Sequence, residues 1–239
     1  MTVGEFSSIP AVLNALNRPR LPSSILNYIF ACDTDTSQAL KNLNNDEKVE
    51  PLLEIWFQSG DALDKLCQPF ATVVKELKNE PATLVGEEWD TLKGKVAKVL
   101  LADQLSRSCF RGTSEAFSFD HIAQKLVREA FRSYNCQETL KLPAAILYLL
   151  PWGLAHSENA RDLDRACQII DMTIEAYPNF NLFVSKNKPA VIQHRQVLEK
   201  FGRYPQRNLQ LRRQNTSEEK LWLSDKENLP VWAGGNSIL

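Results

Sequence analysis

The stretch FSFDHIAQKLVREAFRSY, residues 117–134, decides the fold class. Phe119, Ile122, Ala123, Leu126, Ala130, Phe131 and Tyr134 recur at steps that place them on one face of an α-helix. Residues 163–177, LDRACQIIDMTIEAY, repeat the pattern with Leu163, Ala166, Cys167, Ile170, Ile174 and Tyr177. Strand-type alternation is almost nowhere. Start signals agree with helices. Asp64 follows Asp61 at the spacing of a first helical turn, and Thr216 with Glu219 forms a capping box that satisfies orphan N–H groups. Gly112, Gly202 and Pro178 punctuate the ends, leaving about nine helices joined by short loops. Pro69 and Pro151 fall inside helical patterns and should kink them, since proline removes a backbone donor and crowds the preceding turn. The expected fold is all-α, an irregular helical bundle or solenoid.

Composition narrows the class further. The chain has 239 residues, 44% hydrophobic and 24% charged, enough for a sizeable core. Its 28 basic and 29 acidic residues give a net charge of −1, so no global charge points to nucleic acid or membrane. The longest apolar run, Leu142 to Ala155, contains Pro143, Pro151 and Gly153 and is shorter than a membrane span requires. It reads as a buried core helix over 142–156, kinked near Pro151. The N-terminus lacks a secretory pattern, although a single acid (Glu5) among Arg18, Arg20 and several serines gives residues 1–31 a faint transit character. A cytoplasmic location is expected, with organelle targeting as the minor alternative. The five cysteines form no CxxC pair and read as reduced, structural thiols.

Charge is unevenly spread. Residues 33–90 carry five lysines against thirteen acids, and residues 186–213 carry eight lysines or arginines against one acid. The basic stretch suits either docking on the protein's own carboxylates or a small anion. With only Phe201 and Tyr204 as aromatics it offers no stacking platform, and nucleic acid is not expected.

Three helices carry ionisable residues in the register of their buried stripes. The stripe Leu92, Val96, Val99/Leu100 continues into Asp103 and Arg107. Ala145, Leu149 and Trp152 lead to His156, followed by Glu158. Val191, His194, Leu198 and Phe201 place His194 inside the stripe. Burying an unpartnered charge costs several kcal/mol, so these groups should converge on each other or on a ligand. Arg111, Arg203, Arg207 and Arg213 sit on adjoining ends, and guanidinium forks suit carboxylate or phosphate. Each residue taken singly also fits a purely structural role. A metal site is not expected, because three histidines lie far apart with no HExxH or paired-cysteine spacing. No phosphate-cradling glycine loop or GxSxG elbow is present, and no cofactor is expected. His121 reads as a surface residue. Cys109, between Arg107 and Arg111, has the only cationic neighbourhood among the thiols, yet packing is its expected role.

Three blocks resemble the signatures of domain-of-unknown-function family 924: LLADQLSRSCFRGTSEAFSFD (100–120), AHSEN (155–159), and FGRYPQRN followed by LRRQNTSEE (201–219). ILNYIF (25–30) and IWFQSGDALD (55–64) are similar to earlier blocks of that family, and Gly86 and Trp89 also fit. The resemblance spans about residues 23–223, leaving 1–22 as an N-terminal extension and 224–239 as a tail. It implies a helical fold like that of tetratricopeptide-repeat proteins, and no particular activity. Carried over, the family's polar signature falls on Asp103, Gln104, Arg107, Arg111, Gly112, His156, Ser157, Glu158, His194, Gly202, Arg203, Arg207 and Asn208. The chain departs from it at Gln206 (usually histidine), Arg212 (usually glycine), Gly153 (usually proline) and Tyr28-Ile29 (usually Phe-Trp). The lost imidazole removes one acid/base group.

Two functional readings follow. In the first, Arg107, Arg111, His194, Arg203, Arg207 and Asn208 hold a small anionic molecule. His156, oriented by Glu158 or Asp103, would then move protons. In the second, the chain is a non-catalytic helical scaffold for a partner protein or peptide, and the buried charges only fix packing.

Overall fold

The computed structural model describes residues 9–233 apart from 59, 80–81 and 133–134. Among these the chain is all-α, with no strand. Thirteen helices are present among the described residues, so the expectation of about nine is too low. They are α1 (Pro10–Asn17), α2 (Pro22–Ile29), α3 (Ser37–Leu43), α4 (Asp46–Gln58) and α5 (Asp61–Cys67 and Ala71–Glu76). Next come α6 (Glu87–Asp90), α7 (Leu92–Leu100 and Ser106–Cys109), α8 (Asp120–Ala130) and α9 (Cys136–Thr139). The last are α10 (Ala144–Leu149 and Trp152–Ala155), α11 (Ala160–Ala176), α12 (Lys188–Phe201) and α13 (Ser217–Ser224). One-turn pieces such as α6 and α9 are too short to show a 3.6-residue period, which is why periodicity undercounts them. Tyr134, expected on the α8 stripe, lies outside the described residues.

The proline expectations find their counterparts. Pro69 sits in a 3₁₀ turn, Gln68–Phe70, that joins the halves of α5, and Pro151 separates the halves of α10. Every residue from 144 to 157 is buried, and no helix among the described residues is long and apolar enough to cross a membrane. Helix α7 packs on α2 and α8, while the second half of α10 packs on α8, α11 and α12. Gly94 permits the close approach of α6 to α7, because a Cβ there would lie 2.4 Å from the Glu88 carbonyl oxygen. A smaller apolar cluster joins Leu163, Val197, Leu198 and Tyr204 to Trp232 and Ala233 of the C-terminal 3₁₀ turn.

Two π-helical segments interrupt the regular ladder, Leu101–Leu105 within α7 and Phe183–Asn187 leading into α12. The wider turn buries all five residues of the first, Asp103 and Gln104 included.

One departure from the family pattern has a backbone explanation. Arg212 stands at φ +53°, the left-handed region that glycine enters without steric cost. Its side chain is exposed. Arg212→Gly should therefore stabilise the protein by about 1 kcal/mol in urea unfolding. Unchanged or lower stability would refute the strain.

Candidate functional site

The π turn of α7 sets the site. Asp103 is 1% exposed, and its carboxylate accepts from Gln104 Nε2 at 2.6 Å and from His156 Nδ1 at 2.7 Å. Arg107, one turn on, reaches Asp103 Oδ1 at 3.1 Å and donates to the Asp103 carbonyl at 2.8 Å. Its Nη2 donates to Asp120 Oδ1 at 3.0 Å, at the first turn of α8. Asp120 Oδ2 in turn accepts from Arg207 Nη1 at 3.2 Å. The Arg207 guanidinium lies 4.8 Å from the ring centroids of both Phe117 and Tyr204, a cation–π sandwich. Two carboxylates and two guanidiniums thus cancel in a buried chain, the arrangement that makes interior charge tolerable.

Electrostatics fix the protonation states. Burial by itself would raise the Asp103 pKa, but His156 and Arg107 hold it below the ordinary carboxylate range. The His156 pKa is lowered, by burial first and then by Arg107, against the pull of Asp103. The His194 pKa is lowered well below its ordinary value by burial and then by His156. Against an ionised carboxylate, Nδ1 of His156 must be the protonated nitrogen. His194 likewise donates from Nδ1 to the Ala190 carbonyl at 2.8 Å. Each neutral ring therefore keeps an unprotonated Nε2. The two imidazoles are 5.9 Å apart, centroid to centroid, and His194 stacks on Trp232 at 3.7 Å.

Asp103, Arg107, His156 and His194 accordingly share one interior, joined by Arg207. The remaining candidates lie elsewhere. Glu158 does not reach His156: it accepts from Arg213 at 2.7 and 2.9 Å and from the Tyr204 N–H at 2.8 Å. Arg111 forms a fork on Asp64, at 2.6 and 3.0 Å. Arg203 forms another on Glu219, which also accepts from Asn208 at 3.3 Å. Of the arginines expected around one anion, Arg107 and Arg207 share Asp120, while Arg111 and Arg203 are held by other carboxylates. Lysines of the basic stretch behave alike, Lys186 on Glu50 and Glu54, Lys188 on Asp171, and Lys200 on Glu218. Cys109 is buried and donates to the Cys67 carbonyl, and burial raises its pKa rather than activating it. His121 is exposed. No group of three or more metal-ligating side chains occurs among the described residues.

A cavity of about 210 Å³ adjoins this interior between α4, α10, α12 and the C-terminal turn. His194 forms part of its wall with Phe57, Tyr148, Trp152 and Trp232, while Glu50, Glu54 and Lys186 also line it. The Trp152 indole N–H is buried without a partner. Asp120 and Trp232 carry no role expected from the sequence. Asp120 stands in register with Ala123, Val127 and Ala130 on the inner face of α8, a signal that could have found it. Trp232 follows no periodic pattern, and nothing local in the sequence marks it.

Residues 42–227 match the model of a family described as bacterial protein of unknown function, DUF924. No curated protein matches the chain. Among solved structures, that of the protein of unknown function ATU0120 from Agrobacterium tumefaciens is similar, with a TM-score of 0.59 at 25% identity. The alignment covers 80% of this chain and 99% of that one. The family match takes in most of the chain, including every residue of the buried Asp103–His156–Arg107–Asp120–Arg207 network, and the protein belongs to the DUF924 family.

Proposed function

We propose that the protein binds a small molecule in the aromatic cavity beside His194, and that the buried charge network holds the wall of that cavity in place. The observation that carries this reading is the double position of His194. It lines the cavity, and it also packs edge-on against His156, whose ring Asp103 orients. A carboxylate that fixes an imidazole tautomer is the arrangement proton-transfer sites use, but the reading here is binding. Arg111, Arg203 and Asn208 act in it as braces. An anion gathered by Arg107, Arg203 and Arg207 would have to displace Asp120 or Glu219 from existing ion pairs, so the cavity is the better-supported place for a ligand.

A thermal-shift screen of small metabolites tests the reading. Stabilising compounds should emerge, with a gain of about 2.7 kcal/mol at a hundredfold excess over Kd. Ala190→Phe, which projects a ring into the cavity from α12, should abolish their effect while leaving helix content intact. Stabilisers that act equally on the variant would place the site elsewhere. Phosphate or sulfate that stabilises beyond a chloride control, with loss of the effect in Arg203→Gln/Arg207→Gln, would restore the anion reading.

A further inference from the structure

The half-exposed rim of the cavity carries two carboxylates, Glu50 and Glu54, against one cation, Lys186. We infer that the cavity selects an arylalkylamine, a flat ring with an amine on a short arm, bound as the ammonium ion, an inference that rests on the cavity being the ligand site. Glu50 and Glu54 stand one turn apart on α4, and both close on Lys186, at 2.5 and 2.6 Å. Two carboxylates share one ammonium, which leaves a net negative charge where they line the cavity. The arginine centres, by contrast, are each matched by carboxylates.

The remaining wall agrees with that sign. Phe57, Tyr148, Trp152 and Trp232 present aromatic surface, whose faces attract cations and exclude carboxylates. His194 spends its ring proton on the Ala190 carbonyl, so toward a ligand it can only accept. The one cation of the lining, Lys186, is already engaged by the two glutamates. A carboxylate or phosphate ligand would meet two like charges and no free cation, with only a neutral donor, the unpartnered Trp152 N–H, to set against them. An ammonium on a short arm would meet two acceptors, with its ring stacked among the others. At about 210 Å³ the space suits one ring with such an arm.

Calorimetric titration of the full chain with three probes of one shape tests this: 2-phenylethylamine, 2-phenylethanol and phenylacetate. The amine should bind at least fivefold tighter than the alcohol, with the carboxylate weakest. Glu54→Gln should weaken the amine about fivefold and leave the alcohol unchanged. Lys186→Met, at a half-exposed position, should tighten the amine severalfold by freeing both carboxylates. Alcohol binding equal to or tighter than amine binding would overturn the choice of ligand class and leave the cavity reading standing. Failure of all three probes at millimolar concentration, together with an empty metabolite screen, would overturn the cavity reading and this inference with it.

Discussion

Replacing Asp120 with alanine should lower the unfolding free energy by about 3–5 kcal/mol, measured by urea denaturation at pH 7.5. The reason is the sharing pattern. Arg107 has two carboxylate partners, Asp103 and Asp120, whereas Asp120 is the carboxylate that Arg207 contacts. Removing it leaves Arg207, only 4% exposed, as a buried cation with no carboxylate in contact among the described residues, against the Phe117 and Tyr204 rings. A smaller contribution, about 0.5 kcal/mol, comes from losing an acid at the first turn of α8. The double variant Asp120→Asn/Arg207→Gln separates charge balance from packing. It restores electroneutrality around Asp103–Arg107 and should recover a large part of the loss. A double variant as unstable as the sum of the two single ones would mean that geometry, not charge, governs this interior.

The register of apolar stripes carried more of this interior than any motif did. Asp103, Arg107, His156 and His194 each continue a buried stripe, and each is buried facing the others. Register is a local property, set by the 3.6-residue period, so sequence alone exposes it. Pairing is not local. Glu158 stands two residues from His156, yet the chain turns between them and delivers Glu158 to Arg213, fifty-five positions away. Arg111 and Arg203 also look alike in sequence, but one meets Asp64 and the other Glu219. Which carboxylate neutralises which arginine depends on how helices stack, and no periodicity encodes it. The cavity was hidden for the same reason. Its wall joins α4, α10, α12 and a C-terminal turn whose Trp232 has no patterned neighbours. The extra helices escaped because one-turn segments and π interruptions break the period by which helices are recognised.

Stability should fall steeply as pH drops from 7 to 5, because His156 and His194 are both buried as neutral rings. An unfolded histidine titrates near 6.5, whereas both folded pKa values are lowered, first of all by burial. Between the folded and unfolded values the unfolded chain binds more protons, so lowering the pH favours unfolding. Each fully expressed histidine contributes a slope of about 1.4 kcal/mol per pH unit, and the pair up to about 4 kcal/mol between pH 7 and 5. Asp103 adds nothing in that window. Its pKa is held low by His156 and Arg107 against burial, so its contribution is present above the unfolded value of about 4 and disappears only below it. Urea unfolding at pH 5, 6, 7 and 8 measures the curve, which should flatten above pH 7. His194→Gln should remove part of the slope, at the cost of the ring stacked on Trp232. His156→Gln is the sharper test, because two opposed influences meet on that ring. If Arg107 and burial prevail, as the geometry implies, this variant also flattens the curve. If the Asp103 carboxylate, 2.7 Å away, instead kept His156 charged, its folded pKa would lie above 6.5. The sign would then reverse: His156 would stabilise the fold at low pH, and the variant would steepen the acid loss instead of relieving it.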